Sequence, residues 1–209
     1  MILALDSSGG ELLAALLADD LSLAAGIAVP GRRHQEGILE AVEALVGSAA
    51  AVRDLDAIAV VRGPGSQTGL RVGLAAAEGL AFATRRPLLG LSSLHVAAHR
   101  AGGGDTVVGA VSAGRRNVYA QVFVRRDVEA FDEVGRRVLG PARDIRQLLG
   151  VDEEIAVGAE PAVLAEAASE GTRAGDARGG AEALANAVRD ALKRADAVAY
   201  HGLTGDYGE

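Results

Sequence analysis

The sequence predicts an α/β protein made of two related units, the second one reduced. Three observations carry that prediction. Each half opens with three strand-like segments joined by tight turns, each half then alternates helix with strand, and Gly102-Gly103-Gly104-Asp105 separates the halves. The expected domains are therefore 1–101 and 106–209, with 102–105 as the linker.

In the first unit, Met1 to Leu5 is an apolar strand that ends in Asp6-Ser7-Ser8-Gly9-Gly10. Glu11 to Leu17 returns after that turn, Asp19-Asp20 turns the chain again, and Leu21 to Val29 completes an antiparallel meander. Pro30-Gly31 breaks it. His34 to Ala50 carries Ile38, Leu39, Val42, Leu45, Val46 and Ala49 at helical spacing. Ala57 to Val61 is apolar at every position, as a central strand covered on both faces would be. After the turn Arg62-Gly63-Pro64-Gly65-Ser66-Gln67-Thr68-Gly69 comes a helix over 68–83, capped by Ser66 or Thr68. A short strand, Leu88 to Leu91, and a helix from Ser92 or Ser93 to Ala101 close the unit.

The second unit repeats the order. Strands are expected at Thr106 to Val111, Asn117 to Arg125 and Glu129 to Leu139, then a helix at Pro141 to Leu149, a strand at Glu154 to Val157 and a helix at Pro161 to Glu170. The stretch 171–180 lacks periodicity and reads as a mobile loop. Ala181 to Ala195 is an amphipathic helix with Leu184, Val188 and Leu192 on one face.

Composition narrows the function. The 209 residues are 49% hydrophobic and 23% charged, with no apolar run of membrane-spanning length and no basic leader, so a cytoplasmic protein is expected. The absence of cysteine excludes disulfides, thiolate zinc sites and cysteine nucleophiles. A net charge of −7 argues against binding nucleic acid unaided, because phosphate contacts need a basic surface, and any RNA would be held by another subunit.

The glycine-rich turn fails three standard tests. A Walker A loop needs a lysine, and Lys193 is the only one in the chain. A dinucleotide fingerprint needs glycine where Thr68 stands. A nucleophile elbow needs glycines where Pro64 and Thr68 flank Ser66. A helix amino terminus still attracts anions, so Gly63, Gly65, Ser66, Thr68 and Gly69 remain a weak candidate anion site.

The run from Arg62 to Gly73, Arg62-Gly63-Pro64-Gly65-Ser66-Gln67-Thr68-Gly69-Leu70-Arg71-Val72-Gly73, closely resembles the signature of the TsaB (YeaZ) family of tRNA threonylcarbamoyladenosine biosynthesis subunits. The resemblance extends through Asp6-Ser7-Ser8, Arg32-Arg33-His34, Leu55 to Val60 and Leu91-Ser92-Ser93-Leu94, and thins after residue 100. It implies two duplicated RNase H-like lobes of the actin, sugar-kinase and heat-shock ATPase superfamily. It also implies a non-catalytic subunit that pairs with its catalytic paralogue TsaD, with the ATPase TsaE completing the assembly and tRNA met only through the complex. Three departures stand out: Gln67 where the family usually has phenylalanine, Ser112-Ala113-Gly114 where it has Asp-Ala-Arg, and a tail without Pro-x-Tyr-Leu-Arg.

An ATPase of that superfamily holds metal and phosphate between carboxylates of both lobes. Asp6 occupies the first position as a vestigial acid that forms the turn, and Ser112 stands at the second without charge. No cofactor, metal or ATP binding by the isolated chain is therefore expected; the rival reading is a stand-alone ATP-dependent phosphotransferase of the same fold. His95 and His99 have zincin spacing, but Val96 replaces the general-base glutamate, so both read as ordinary helix residues, and His34 and His201 add no ligand set.

The 68–83 helix has two stripes. Leu70, Leu74, Ala77 and Ala81 suit the sheet, and Gly69, Gly73, Ala76 and Leu80 suit a second cover. With the resemblance placing the family's paired-helix interface on these two helices, the expected partner face is Ile38, Leu39, Val42, Leu45, Val46, Gly69, Val72, Gly73, Ala76 and Leu80. The same face is expected to pair two copies of the chain when no paralogue is present.

Overall fold

The computed structural model describes residues 1–30, 34–48, 50–127, 130–151, 155–159, 161–167, 172–174 and 179–194. The first half contains β1 (Ile2–Asp6), β2 (Glu11–Leu17), β3 (Leu23–Pro30), α1 (His34–Val46), β4 (Ala57–Gly63), α2 (Gln67–Thr84), β5 (Leu88–Ser92) and α3 (Ser93–Arg100). The second contains β6 (Thr106–Gly114), β7 (Asn117–Asp127), β8 (Ala130–Pro141), α4 (Ile145–Leu149), β9 (Ile155–Gly158), α5 (Pro161–Ala167), β10 (Thr172–Ala174) and α6 (Gly180–Lys193).

The two sheets have one topology. The first runs β3-β2-β1-β4-β5, the second β8-β7-β6-β9-β10. In each, the three opening strands are antiparallel and the last two join in parallel. This is the duplicated RNase H-like arrangement, and the alternation of antiparallel meander and crossover helix produces it twice.

Differences from the expected elements have local causes. The first helix ends at Val46 rather than 50 because Gly47 adopts φ +87°, a conformation glycine reaches without strain. The segment 141–149 splits into a 3-10 turn, Ala142–Asp144, and the five-residue α4. The loop expected at 171–180 is partly wrong. Thr172–Ala174 pairs in parallel with β9, and α6 begins at Gly180. Three residues without an apolar run carry no strand signal of their own; the partner strand supplies the order. The tail from 195, with His201, lies outside the described residues, as do Arg32, Arg33 and Ala49.

Four apolar clusters fill the layers. One face of the first sheet (Leu3, Leu5, Leu12, Ile58) packs on Ile38 and Val42 of α1 and Leu74 and Ala77 of α2. Its other face (Ala4, Leu13, Ala15, Leu17) packs on Leu184 and Val188 of α6. One face of the second sheet (Val108, Val118, Val157) meets Ile145 and Val163. The other face (Val107, Phe123, Ala156) meets Leu94 and Ala98 of α3. The split at 102–105 thus separates two sheets without separating two packing units, because each half sends its last helix onto the other half's sheet.

Two glycines make that exchange possible. A Cβ on Gly109 would stand 2.1 Å from the Leu94 carbonyl oxygen, and one on Gly158 would stand 1.9 Å from that of Ala97. The backbone of α3 therefore lies directly on β6 and β9. Gly158→Ala is expected to destabilise the protein by about 1–3 kcal/mol in urea denaturation, because backbone rather than a flexible side chain must give way. Gly103→Ala, whose Cβ meets nothing within 4 Å, is expected to stay within about 0.5 kcal/mol of the parent. Equal effects from the two would sink this account of α3.

Candidate functional site

The glycine-rich turn joins β4 to α2. Ser66 is the N-cap of α2, and its Oγ accepts a hydrogen bond from the Gly69 amide at 3.3 Å. The Ser66 amide donates to the Ser8 carbonyl at 2.8 Å, and Ser7 Oγ donates to the Gly69 carbonyl at 2.8 Å. A Cβ on Gly65 would lie 2.4 Å from the Ser8 oxygen, and one on Gly69 2.0 Å from the Ser7 oxygen. The glycines make room for the β1–β2 turn, and two amides of the candidate anion site already donate to protein oxygens. Of the expected anion site Gly63, Gly65, Ser66, Thr68 and Gly69, the amides of Ser66 and Gly69 are thus engaged within the chain, with Ser7 and Ser8 packed against the glycines.

Asp6 ends β1 and is buried. Its Oδ1 accepts from the Ser8 amide at 2.8 Å and from Ser8 Oγ at 2.6 Å, the local turn that short polar side chains form. Burial pushes the Asp6 carboxyl up, and the two Ser8 bonds pull it partway back. The space between the lobes is lined by Asp6, Ser8, Glu11, Ser93 and Arg100, with Arg100 Nη2 bonded to Glu11 Oε2 at 2.8 Å. Its volume is about 30 Å³. That is water-sized, an order of magnitude below the roughly 300–1,000 Å³ of sites that hold drug-sized ligands. Across the cleft Ser112 Oγ accepts from the Gly114 amide at 3.3 Å and brings no charge.

The histidines of α3 are not ordinary helix residues. His95 and His99 are both buried, and both direct Nε2 at Asp190 Oδ2 of α6, at 3.3 and 3.4 Å. His95 Nδ1 lies 3.3 Å from Glu133 of β8, and the same carboxylate oxygen of Asp190 accepts from the Phe131 amide at 3.1 Å. Arg194 approaches from one turn further along α6, its Nε 3.2 Å from Asp190 Oδ1. The rings of Phe123 and Phe131 meet His95 and His99 edge-on, at 4.7 and 5.0 Å. Asp190 and Glu133 escape the sequence because nothing local marks them; the i,i+4 pair of histidines on a short apolar helix was the available signal. No group of three or more His, Asp or Glu is placed to hold a metal among the described residues.

Burial alone would lower the affinity of His95 for its proton, but hydrogen bonds to Asp190 and Glu133 outweigh that and raise it above the ordinary range. Burial alone would raise Asp190, yet bonds from His95, His99 and the Phe131 amide hold it well below the usual carboxylate range. A raised folded-state value means that His95 contributes stability fully present below its unfolded value, about 6.5, and lost as pH climbs through the folded value. Asp190 contributes above its unfolded value, about 4, and fails as pH falls through the depressed one. Denaturation midpoints are therefore expected to fall from pH 6 towards 8.5, and His95→Gln is expected to flatten that fall. A parental profile that is flat over this range contradicts the clamp.

The helix pair α1–α2 is arranged differently from the expected face. Ile38 and Val42 are core residues, and Gly69 and Gly73 are buried, the Gly73 Cβ position lying 2.2 Å from Ser7 Oγ. These four face the chain's own sheet and the β1–β2 turn. Leu45, Val46, Val72, Ala76 and Leu80 are half-buried at the seam of the two helices. Leu39 stands 65% exposed on α1. The open stripe of α2 is rotated from the predicted one and runs through Ala75, Gly79 and Ala83 to Phe82, which is 88% exposed. A Cβ on Gly79 meets nothing within 4 Å. Spacing of four, three and four residues marked Leu70-Leu74-Ala77-Ala81 and Gly69-Gly73-Ala76-Leu80 in the sequence; the open stripe is a third one, and the contacts of Ser7 with Gly69 and Gly73 set the helix rotation that exposes it.

The duplicated topology, the narrowed cleft and the uncovered helix face define a class of two-lobed, actin-like fold; no helix among the described residues is long and apolar enough to cross a membrane. Comparison with known proteins makes it specific. The family model described as "TsaD: tRNA N6-adenosine threonylcarbamoyltransferase" matches residues 26–171. The tRNA threonylcarbamoyladenosine biosynthesis protein TsaB of Haemophilus influenzae is 36% identical over 132 residues, covering 56% of this chain and 55% of that protein. A tRNA N6-adenosine threonylcarbamoyltransferase of Moorella thermoacetica is 33% identical over 168 residues, 68% of this chain and 46% of the enzyme. The solved structure of YeaZ from Pseudomonas aeruginosa superposes with a TM-score of 0.72 at 25% identity, over 99% of this chain and 98% of that one. The chain spans about half the length of the curated relatives it matches. It belongs to the TsaD family, on the branch that carries the TsaB (YeaZ) name.

Proposed function

We propose that this chain is a non-catalytic subunit of tRNA threonylcarbamoyladenosine biosynthesis that docks through the outer face of α1 and α2 onto a TsaD-type paralogue. The observation that carries the reading is Phe82, 88% exposed beside Ala75, Gly79 and Ala83 on a face of α2 edged by Arg71 and Glu78. Small residues at Ala75 and Gly79 let another helix approach closely, while Leu39 and Phe82 supply apolar bulk at its edges. The water-sized cleft and the uncharged Ser112 favour a scaffold over a phosphotransferase. In this reading the paralogue carries the catalysis, a TsaE-type ATPase joins the assembly, and the same face pairs two copies when the paralogue is absent.

Gly79→Arg tests the reading without threatening the fold. The substituted side chain enters open space, and loss of a mid-helix glycine is expected to stabilise the helix by about 0.5–1 kcal/mol. Co-expressed with the TsaD-type paralogue of the same genome, the variant is expected to elute as a separate species in size-exclusion chromatography and to leave tRNA without the modification by mass spectrometry. A complex of parental size and yield contradicts the docking face.

A further inference from the structure

We infer that Arg115, Arg116 and Arg143 form a site on the second lobe that binds phosphate groups of an RNA backbone. The inference deepens the tRNA-modification reading above and rests on it for the identity of the ligand. Its geometry stands independently.

The turn between β6 and β7 has two residues, Arg115 at φ +53° and Arg116 at φ +64°, following Gly114 at φ +80°. A two-residue turn with both central residues left-handed prefers Asn-Gly, because a Cβ is disfavoured there. Two consecutive arginines are what hairpin formation selects against, so their side chains must serve something other than the turn.

The turn is fixed beside a third arginine. The Ala142 amide donates to the Arg116 carbonyl at 2.9 Å, which draws the 3-10 turn Ala142–Asp144 against the hairpin tip and places Arg143 there. The three arginines, with Asn117 and Ala165, line a cavity of about 460 Å³, large enough for a phosphate with its sugar. Arg115 and Arg116 are exposed and make no ion pair among the described residues. Arg143 is 79% exposed and, among the described residues, pairs with its neighbour Asp144 at 3.6 Å. Among the described side chains, three guanidinium groups stand against the one carboxylate of Asp144, a locally positive surface on a chain of net charge −7. Guanidinium forks match phosphate oxygens two at a time.

The lining offers no aromatic ring for a base to stack on, so the site reads backbone and not sequence. It also lies on the lobe that α1 and α2 do not belong to.

The test uses the full chain alone, with a fluorescently labelled unmodified tRNA transcript in anisotropy titrations between 50 and 200 mM salt. The variants are Arg115→Asn with Arg116→Gly, which restores the preferred turn, and Arg143→Gln. The parent is expected to bind with a negative slope of log affinity on log salt. The double variant is expected to lose roughly tenfold in affinity at low salt and to flatten the slope by about 2, with an unchanged or higher thermal midpoint. An unrelated RNA of the same length is expected to bind equally well. Unchanged affinity and slope in the variants overturn the site, as does the absence of RNA binding by the parent. ATP binding that depends on these arginines and exceeds RNA binding overturns the RNA assignment in favour of a nucleotide. Because no partner is present in the assay, its failure leaves the outcome of the Gly79→Arg experiment untouched.

Discussion

The structure depends on one close contact: the backbone of α3 pressed onto β6 and β9 where Gly109 and Gly158 have no side chain. Every residue of α3 from Ser93 to His99 is buried as a result. A helix that belongs by sequence to the first half becomes part of the core of the second, and α6 reciprocates by covering the first sheet with Leu184 and Val188. Neither sheet buries both faces with helices from its own half. The His95, His99 and Asp190 cluster sits where the exchanged helices meet, and a buried carboxylate there must keep its partners, since an unpaired one costs several kcal/mol.

The same exchange shapes the cleft. With α3 seated against the second sheet, Ser93 Oγ donates to the Pro64 carbonyl, and Arg100 reaches back to Glu11. The glycine turn, the β1–β2 turn and the start of α3 are thereby joined by protein–protein hydrogen bonds across the region where a two-lobed ATPase of this fold would admit phosphate. Groups that would otherwise solvate a ligand are used within the first lobe, to tie α3 and the two turns to one another. The open face of α2, with Ala75, Gly79 and Phe82 edged by Arg71 and Glu78, lies on the outside of the molecule.

Topology and element positions were largely legible because they follow from strong local signals: all-apolar Ala57 to Val61, tight turns at Asp6 and Asp19, and helical periodicity on either side. β10 was not, since Thr172–Ala174 is ordered by β9 and not by its own composition. The candidate site was legible only in part. That α2 carries the face followed from its scarcity of charge. Which side of α2 is open depended on Ser7, sixty-two residues from Gly69 in the chain, and no local pattern encodes such a contact. Asp190, ninety-five positions beyond His95, was hidden for the same reason.

Residues chosen against local preference fall into two kinds. Gly69, Gly73, Gly109 and Gly158 forgo side chains because backbone or hydroxyl oxygens occupy the space, so folding explains them. Gly79 sits mid-helix in open space, where alanine would be about 1 kcal/mol better. Arg115 and Arg116 hold left-handed conformations that cost roughly 1–2 kcal/mol each in an L-residue. The bond from the Ala142 amide to the Arg116 carbonyl holds the turn in place but engages neither arginine side chain. A protein that is stable by only about 5–15 kcal/mol retains such choices where an outside surface requires them. Leu21 and Arg85 hold left-handed conformations as well, after β2 and at the end of α2, so on this argument it is their place on open surfaces, and not backbone conformation alone, that separates Gly79, Arg115 and Arg116 from residues explained by folding.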